Sequence, residues 1–329
     1  MLARPRARII GTGGYAPQRI VTNLDLEQQI DTSDAWIVER TGIKQRHLAR
    51  ADETTSDMAA EACRRALDMA GLQPEQIGLL VLGTVTPDMQ MPCTAVHVQR
   101  KLGLVNAACW DLSAACAGFI FGLSTAEKFV SLGETKYALV VGVELLSKVL
   151  DWTDRASCVL FGDGAGAVVL ARSDDERGIL STHLHTDGTL WDILNIPGGG
   201  TWLGSTHETV DTKKHMVQMN GRDVFKVAVR NISEVSLEAL RHNQMSAQDV
   251  DLVVAHQANL RILEAVSKRT ELPMSKFYLN LERYGNTSSA SIPIALDEAL
   301  RAGLVKENMR LLFTALGAGV AWGSAVVRW

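Results

Sequence analysis

One cysteine, one histidine and one asparagine in this chain stand apart by their surroundings. Cys116 lies in WDLSAACAGFIFGLSTAEKFVSLG (110–133). Its small neighbours leave the sulfur approachable. An amphipathic helix opens directly after it, so the positive end of the helix dipole is expected to lower the thiol pKa and favour thiolate. The plain alternative is a buried cysteine in a small-residue helix. His256 closes the apolar run LVVAHQAN, and Asn286 sits in the turn RYGNTSSAS ahead of a second helix. A neutral asparagine amide held beside that histidine could stabilise an enolate or oxyanion, and the backbone N–H groups of Gly317-Ala318-Gly319 could hold another. Two further clusters read differently. His183 and His185 share a strand face without a third ligand, so no metal is expected. FGDGAGA (161–167) lacks the Lys-Ser/Thr of a phosphate loop and reads as close backbone packing.

The elements that must position these residues alternate between short apolar runs and amphipathic stretches, an α/β pattern. Strands are expected over Ala7–Gly11, Gly78–Gly83, Ala138–Val141 and Gly166–Ala171, then Leu252–Ala255, Leu311–Ala315 and Ser324–Val327. A helix is expected over 55–70, capped by Thr55 or Ser56 and stopped by Gly71. An internal repeat is visible: RRALDMAGLQPEQIGLLV (64–81) lies over LEALRHNQMSAQDVDLVV (237–254) without a gap, residue n falling on residue n + 173. GDGAGAVVLAR (162–172) likewise resembles the end of the chain, WGSAVVRW. Two copies of one α/β unit follow, 1–173 and 174–329, with 185–220 inserted in the second. At this offset His256 replaces Gly83, the asymmetry expected when one copy supplies catalytic groups. Such a site belongs where the copies meet.

The 329 residues carry 33 Lys+Arg against 37 Asp+Glu, a net charge of −4, with 47 % hydrophobic and 21 % charged residues. These values fit a globular protein and argue against nucleic-acid binding, as does the lack of any Lys/Arg run longer than two. The uncharged stretch Leu311–Val327 is broken by glycines and falls short of the about 20 residues a span needs, so a pair of buried strands is expected there and no membrane. Five cysteines without a CxxC pair suit a reducing cytoplasm.

DLSAACAGF around Cys116, VVAHQAN around His256, YGNTSSAS around Asn286 and LGAGVAWGSAVVRW at the end form an ordered set that resembles the thiolase superfamily, and within it the β-ketoacyl-acyl-carrier-protein synthase III family. IIGTGGYAP and DTSDAWIVERTGIKQRH near the start are similar to it too. The resemblance implies a duplicated five-layered α-β-α-β-α thiolase-like fold. It implies a decarboxylative condensation that initiates type II fatty-acid synthesis: Cys116 takes an acyl group from acyl-CoA, and malonyl-carrier protein then loses CO2 and attacks it. His256 and Asn286 would donate to the malonyl thioester oxygen, and backbone N–H groups of Cys116, Ala318 and Gly319 would hold the other oxyanion. No cofactor is implied beyond the coenzyme A thioester. Trp36 and Arg155 match positions that sandwich the CoA adenine, with Arg40 and Asn259 at the same mouth. Lys226, Arg261, Lys268 and Arg269 match positions that dock an acidic acyl-carrier protein. A homodimer is implied, Met91 of one subunit closing the other's acyl pocket. Met91 stands where the family usually has an aromatic residue, so an altered acyl pocket is expected.

Two other readings share part of this pattern. One keeps the fold and the Cys, His and Asn but serves secondary metabolism with another acceptor. The other, a papain-like cysteine hydrolase, shares the chain order Cys, His, Asn, but the 173-residue repeat and the missing CGSCW-type context count against it.

Overall fold

The structure, a computed structural model, describes residues 5–329. Its strands in chain order are β1 (Arg6–Tyr15), β2 (Arg19–Thr22), β3 (Gln45–Leu48), β4 (Leu79–Gly83), β5 (Ala108–Leu112), β6 (Tyr137–Glu144), β7 (Gly164–Ser173), β8 (Gly178–Thr186), β9 (Leu194–Asn195), β10 (Gln218–Met219), β11 (Leu252–Ala255), β12 (Arg310–Gly317) and β13 (Ala321–Arg328). The helices are α1 (Asn23–Glu27), α2 (Asp34–Thr41), α3 (Thr55–Ala70), α4 (Thr94–Leu102), α5 (Gly118–Ser131), α6 (His207–Asp211), α7 (Gly221–His242), α8 (Leu260–Thr270), α9 (Leu281–Tyr284) and α10 (Ser291–Arg301).

Two sheets carry the fold, in the orders β1-β7-β6-β4-β5 and β11-β12-β13-β8. The step β4–β6 is parallel, and β6–β7 and β7–β1 are antiparallel; β11–β12, β12–β13 and β13–β8 repeat the same sequence of directions. Strand β6 falls on β12 at the offset of 173, and α5 begins at Gly118 where α10 begins at Ser291. Only the first sheet has the extra edge strand β5. The expected strands are all present; β1, β6, β7, β12 and β13 are longer by three to five residues, and β4 is shorter by one. Strand β5 and the hairpin β2–β3 escaped the apolar-run criterion, because they are short and only partly buried.

The layers follow from which faces are apolar. Helices α5 and α10 lie between the sheets: Phe119, Ile120, Leu123 and Ala126 of α5 share one buried core with Val81 and Val140 of the first sheet and Phe313 and Ala325 of the second. Outside the first sheet, Met58, Ala62 and Ala66 of α3 pack on Leu80, Val141 and Val169. Outside the second, α7 and α8 bury Ile232, Ala239 and Leu263 on Val253, Leu312 and Val326. Because each sheet is covered on both faces, its central strands read as unbroken apolar runs. This is the five-layered thiolase fold.

Helix α3 has the expected span, but its cap is Thr54, whose hydroxyl accepts from the Asp57 amide while Asp57 reaches back to the Thr54 N–H. The reciprocal pair satisfies two orphan donors at once, which is why it displaces Thr55 and Ser56. Gly71, at φ +65°, ends the helix.

Glycines set the closest approaches in the middle layer. A Cβ on Gly142 would collide with the Ser289 carbonyl oxygen, and one on Gly83 would lie 2.8 Å from the Gly118 backbone. Gly142→Ala is therefore expected to lower stability by about 2–3 kcal/mol through overpacking. The urea midpoint measures this, and an unchanged midpoint would show that the β6–Ser289 contact is not tight.

Candidate active site

The site forms where the ends of β4, β6, β11 and β12 meet the two turns that open α5 and α10. Cys116 lies in a 3-10 turn (Ala115–Ala117) ahead of α5, and the corresponding turn ahead of α10 is Ser288–Ala290. Ala115 and Ser288 occupy equivalent places and both hold positive φ, +46° and +48°. Such backbone costs about 1–3 kcal/mol at a non-glycine residue and persists only where the surroundings enforce it. The enforcement is visible on one side: a Cβ on Gly317, at the end of β12, would come within 2.6 Å of the Cys116 amide nitrogen.

Cys116 is buried, 8 % exposed. Burial pushes its thiol up to about 12, helped by the Glu144 carboxylate and opposed by a hydrogen bond from Ser288. This corrects the expectation of a lowered pKa. A helix N-terminus supplies at most about 2 kcal/mol, whereas the rise from an ordinary thiol to about 12 is roughly 4 kcal/mol. Desolvation wins, and the resting sulfur is a thiol.

His256 follows β11, fixed by its amide donating to the Thr314 carbonyl of β12 (2.8 Å). Its Nδ1 lies 2.7 Å from Ser291 Oγ, which also accepts from the Gln257 amide at 3.4 Å. Where the Ser291 hydroxyl donates to Nδ1, the proton of the neutral ring sits on Nε2, facing the cavity side of the ring. Burial depresses the imidazole to about 4, so it is neutral at pH 7. Asn286 is held through both backbone groups, its N–H donating to Leu160 O and its carbonyl accepting from Gly162 N. Its Oδ1 accepts from the Ser288 amide at 2.8 Å, which orients Nδ2 as the free donor.

Cys116, His256 and Asn286 line one cavity of about 290 Å³, together with Trp36, Arg40 and Asn259. A second cavity of about 280 Å³ shares Cys116 and continues past it between Leu146, Ile196, Val217 and Ala318. Cys116 thus stands between two chambers. Their walls are largely apolar, except at the mouth.

The remaining expected residues divide. At the mouth the Arg40 and Arg155 guanidinium carbons lie 4.5 and 5.3 Å from the Trp36 ring centre. Arg155 also donates to Asp31. Asn259 caps α8 and donates to the Arg40 carbonyl. Lys226 on α7 and Arg261, Lys268 and Arg269 on α8 are exposed, with Lys226 paired to Asp223 and Arg269 to Glu234. Gly319, at φ +71°, is exposed and lines neither cavity, whereas Ala318 lines the second. Met91 is 85 % exposed and lines neither cavity of its own chain. His183 and His185 both bond Glu238 of α7, a structural clasp. Gly164 and Gly166 pack against Ile294 and Pro293 of α10, as the packing reading of FGDGAGA expected.

Sequence reasoning missed Glu144, Ser288 and Ser291, which surround the site from behind. The 173 offset was the available signal: it lays Ser288–Ala290 over the Ala115–Ala117 turn and Glu144 over Gly317. Segment 185–220, expected as an insertion, supplies Leu194 and Met219 to the cavity wall.

A thiolase fold with a thiol, a neutral imidazole and an amide facing one chamber defines a condensing acyltransferase. Residues 110–188 match the family 3-Oxoacyl-[acyl-carrier-protein (ACP)] synthase III and residues 240–329 its C-terminal region. The chain is 48 % identical to beta-ketoacyl-[acyl-carrier-protein] synthase III of Caldanaerobacter subterraneus subsp. tengcongensis, covering 100 % of this chain and 99 % of that one. It is 49 % identical to the same enzyme of Alkalilimnicola ehrlichii, over 98 % and 99 %. The crystal structure of 3-oxoacyl-[acyl-carrier-protein] synthase III from Aquifex aeolicus VF5 superposes with a TM-score of 0.91 at 44 % identity, over 98 % of this chain and 100 % of that one. The chain belongs to the β-ketoacyl-acyl-carrier-protein synthase III family, the condensing enzymes that initiate type II fatty-acid synthesis without a resident cofactor. These relatives do not favour a secondary-metabolic acceptor.

Proposed function

We propose that Cys116 carries the acyl group and that the first cavity is the route by which both thioesters reach it. One observation carries this reading: Cys116 lines both chambers, with His256 and Asn286 in the wall of the first. An acyl-CoA enters past Trp36, its acyl chain settles in the second chamber, and the Cys116 sulfur displaces CoA. Malonyl-carrier protein then enters by the same mouth. As CO2 leaves, His256 Nε2–H and Asn286 Nδ2–H donate to the malonyl thioester oxygen, where the enolate charge grows. Neutral donors suffice because decarboxylation itself supplies the carbanion and no base has to remove an α-proton. The Cys116 and Ala318 amides hold the oxyanion of the carbon under attack. Incubation with acyl-CoA and then malonyl-carrier protein tests the reading by release of CO2 and appearance of a β-ketoacyl-carrier protein.

Adenine would slip between Trp36 and Arg155 by replacing their present contact, which Arg155, exposed and among the described residues hydrogen-bonded only to Asp31, can give up. Lys226, Arg261, Lys268 and Arg269 stand on the two helices that contribute Val224, Asn259 and Ile262 to the cavity, placing positive charge where an acidic carrier protein would deliver its arm. The halves 1–173 and 174–329 are taken as the two copies of one unit, supported by their matching strand directions. The five cysteines are all unpaired, which suits a cytoplasmic enzyme.

A homodimer would pair the free edge of β5. Val105, before it, is 73 % exposed and Met91 85 %, surfaces an interface would cover. Met91 would then close the partner's acyl chamber, and its flexible thioether would accept more than one acyl shape. Met91→Phe is expected to narrow the acyl-length profile of self-acylation, measured with acetyl-, butyryl- and octanoyl-CoA, while decarboxylation stays unchanged. Identical profiles, or a monomer in light scattering, would contradict this placement.

A further inference from the structure

Glu144, at the end of β6, is a carboxyl group with no exposure to solvent and, among the described residues, no ion pair to a cation. Five donors surround it. Thr86 Oγ1 (2.7 Å), the Val85 amide (3.1 Å) and Thr84 Oγ1 (3.3 Å) reach Oε2, while Ser288 Oγ (3.1 Å) and Ser289 Oγ (3.2 Å) reach Oε1. Four have another partner at hand or none to serve in the chamber: Thr86 accepts from the Leu145 amide, Thr84 lies 3.4 Å from Thr86 Oγ1, and Ser289 also donates to the Gly83 carbonyl at 2.9 Å. Ser288 differs. Its hydroxyl donates to the carboxylate, and in the wall of the second cavity beside Cys116 it holds that thiol lower than burial alone would, so it stands between the carboxylate behind and the sulfur in front. The carboxylate and the thiolate repel each other, and two such groups in a dry site hold one proton between them.

Building on the assignment of Cys116 as nucleophile, we propose that Glu144 is the proton store of the reaction, acting through Ser288. During acylation the Cys116 S–H proton passes to Ser288 Oγ as the Ser288 proton passes to Glu144 Oε1. The sulfur–acyl bond forms, the acyl–CoA bond breaks, and CoA departs as its thiolate, to be protonated by water. Glu144 is then a neutral acid in the acyl-enzyme. In condensation the malonyl carbanion takes the acyl group and Cys116 leaves as thiolate; the proton returns from Glu144 through Ser288, restoring thiol and carboxylate. The enzyme ends each cycle with the proton it began with. Glu144 touches no substrate and is a positioning residue in this sense. Burial raises its carboxyl to about 7, so it can hold or release a proton near neutral pH. The groups facing it are Thr84, Val85 and Thr86 after β4, Ser288 and Ser289 before α10, and Cys116 before α5; among these only Cys116 titrates.

The test follows self-acylation of the whole protein by acyl-CoA, with the acyl group located by mass spectrometry and the carboxyl state read by infrared difference spectroscopy. In the parent, acylation slows as pH falls below about 7, because a protonated Glu144 cannot accept the thiol proton. Acyl-Cys116 formation is accompanied by a new C=O band of an un-ionised carboxylic acid. Glu144→Gln is expected to remove both the band and the inflection and to slow acylation about 100-fold. Ser288→Ala leaves the carboxyl and its other four donors in place, and it too should abolish the band and slow acylation about 100-fold, so the test survives if the glutamine variant does not fold. Full acylation of Cys116 in the parent without a carboxyl band, or a parental rate and pH profile in Ser288→Ala, would overturn the relay alone. A parent that carries no acyl group on Cys116 would overturn the nucleophile assignment and the relay with it.

Discussion

Cys116→Ser is expected to fold as the parent does and to lose at least about 10⁴-fold of its condensing activity, the scale on which a missing nucleophile is felt. The volume change is small, so the turn Ala115–Ala117 and its contact with Gly317 survive. What is lost is the sulfur. A thiolate can form in this chamber only by giving its proton to a neighbour, and a serine hydroxyl, far less acidic, cannot do so at the same cost. The other four cysteines frame the comparison. Cys63 and Cys158 have no exposure, and Cys93 and Cys109 lie beside α4 and on β5, away from both chambers. Changed singly to Ala they should cost some stability and leave the chemistry in place. Thermal melting and steady-state condensation separate the two effects, and turnover near the parent's in Cys116→Ser would remove that residue from the reaction.

His256→Ala and Asn286→Ala are expected to slow malonyl decarboxylation about 100- to 1000-fold, the usual cost of one oxyanion donor, with a much smaller loss in self-acylation. The separation follows from the geometry. His256 and Asn286 line the first chamber beside Cys116, whereas Ser288 stands by the Cys116 sulfur in the second. The pH dependence has a definite sign. Burial holds the His256 imidazole down at about 4, so lowering the pH from 7 to 5 leaves it neutral. Decarboxylation by preformed acyl-enzyme should therefore not fall over that interval through this residue. A drop centred near pH 6.5 would mean that His256 titrates like an exposed histidine and that its surroundings differ from those described. Equal losses in both half-reactions of His256→Ala would show that the imidazole also serves the thiol.

Much of the frame was legible because the duplication is written in the apolar runs. The 18-residue match at offset 173 locates β4 and β11, and the same offset carries β6 onto β12 and α5 onto α10. His256 was legible for a related reason, because it replaces Gly83 of the first copy; Cys116 and Asn286 were legible from their local surroundings, small residues and a polar turn ahead of a helix. The electrostatics of Cys116 were not legible. A helix start in the sequence argues for a lowered pKa, but how deeply α5 sinks between two sheets is a tertiary fact, and that burial decides the sign. Glu144 was invisible too. In VVGVELLSK it reads as the polar end of a strand, and only packing of the Ser288 turn against β6 shows that it is sealed from water behind the nucleophile.

The most direct measurement is a two-step chase on the intact protein. Acyl-CoA is added, the protein is digested, and the acyl group is located by mass spectrometry; malonyl-carrier protein is then added to the remaining acyl-enzyme and the carrier is analysed. The predicted result is one acyl group per chain on Cys116, transferred completely to the carrier as a β-ketoacyl thioester with one CO2 released per acyl group. An acyl group on any other residue, or one on Cys116 that malonyl-carrier protein cannot discharge, would contradict the account.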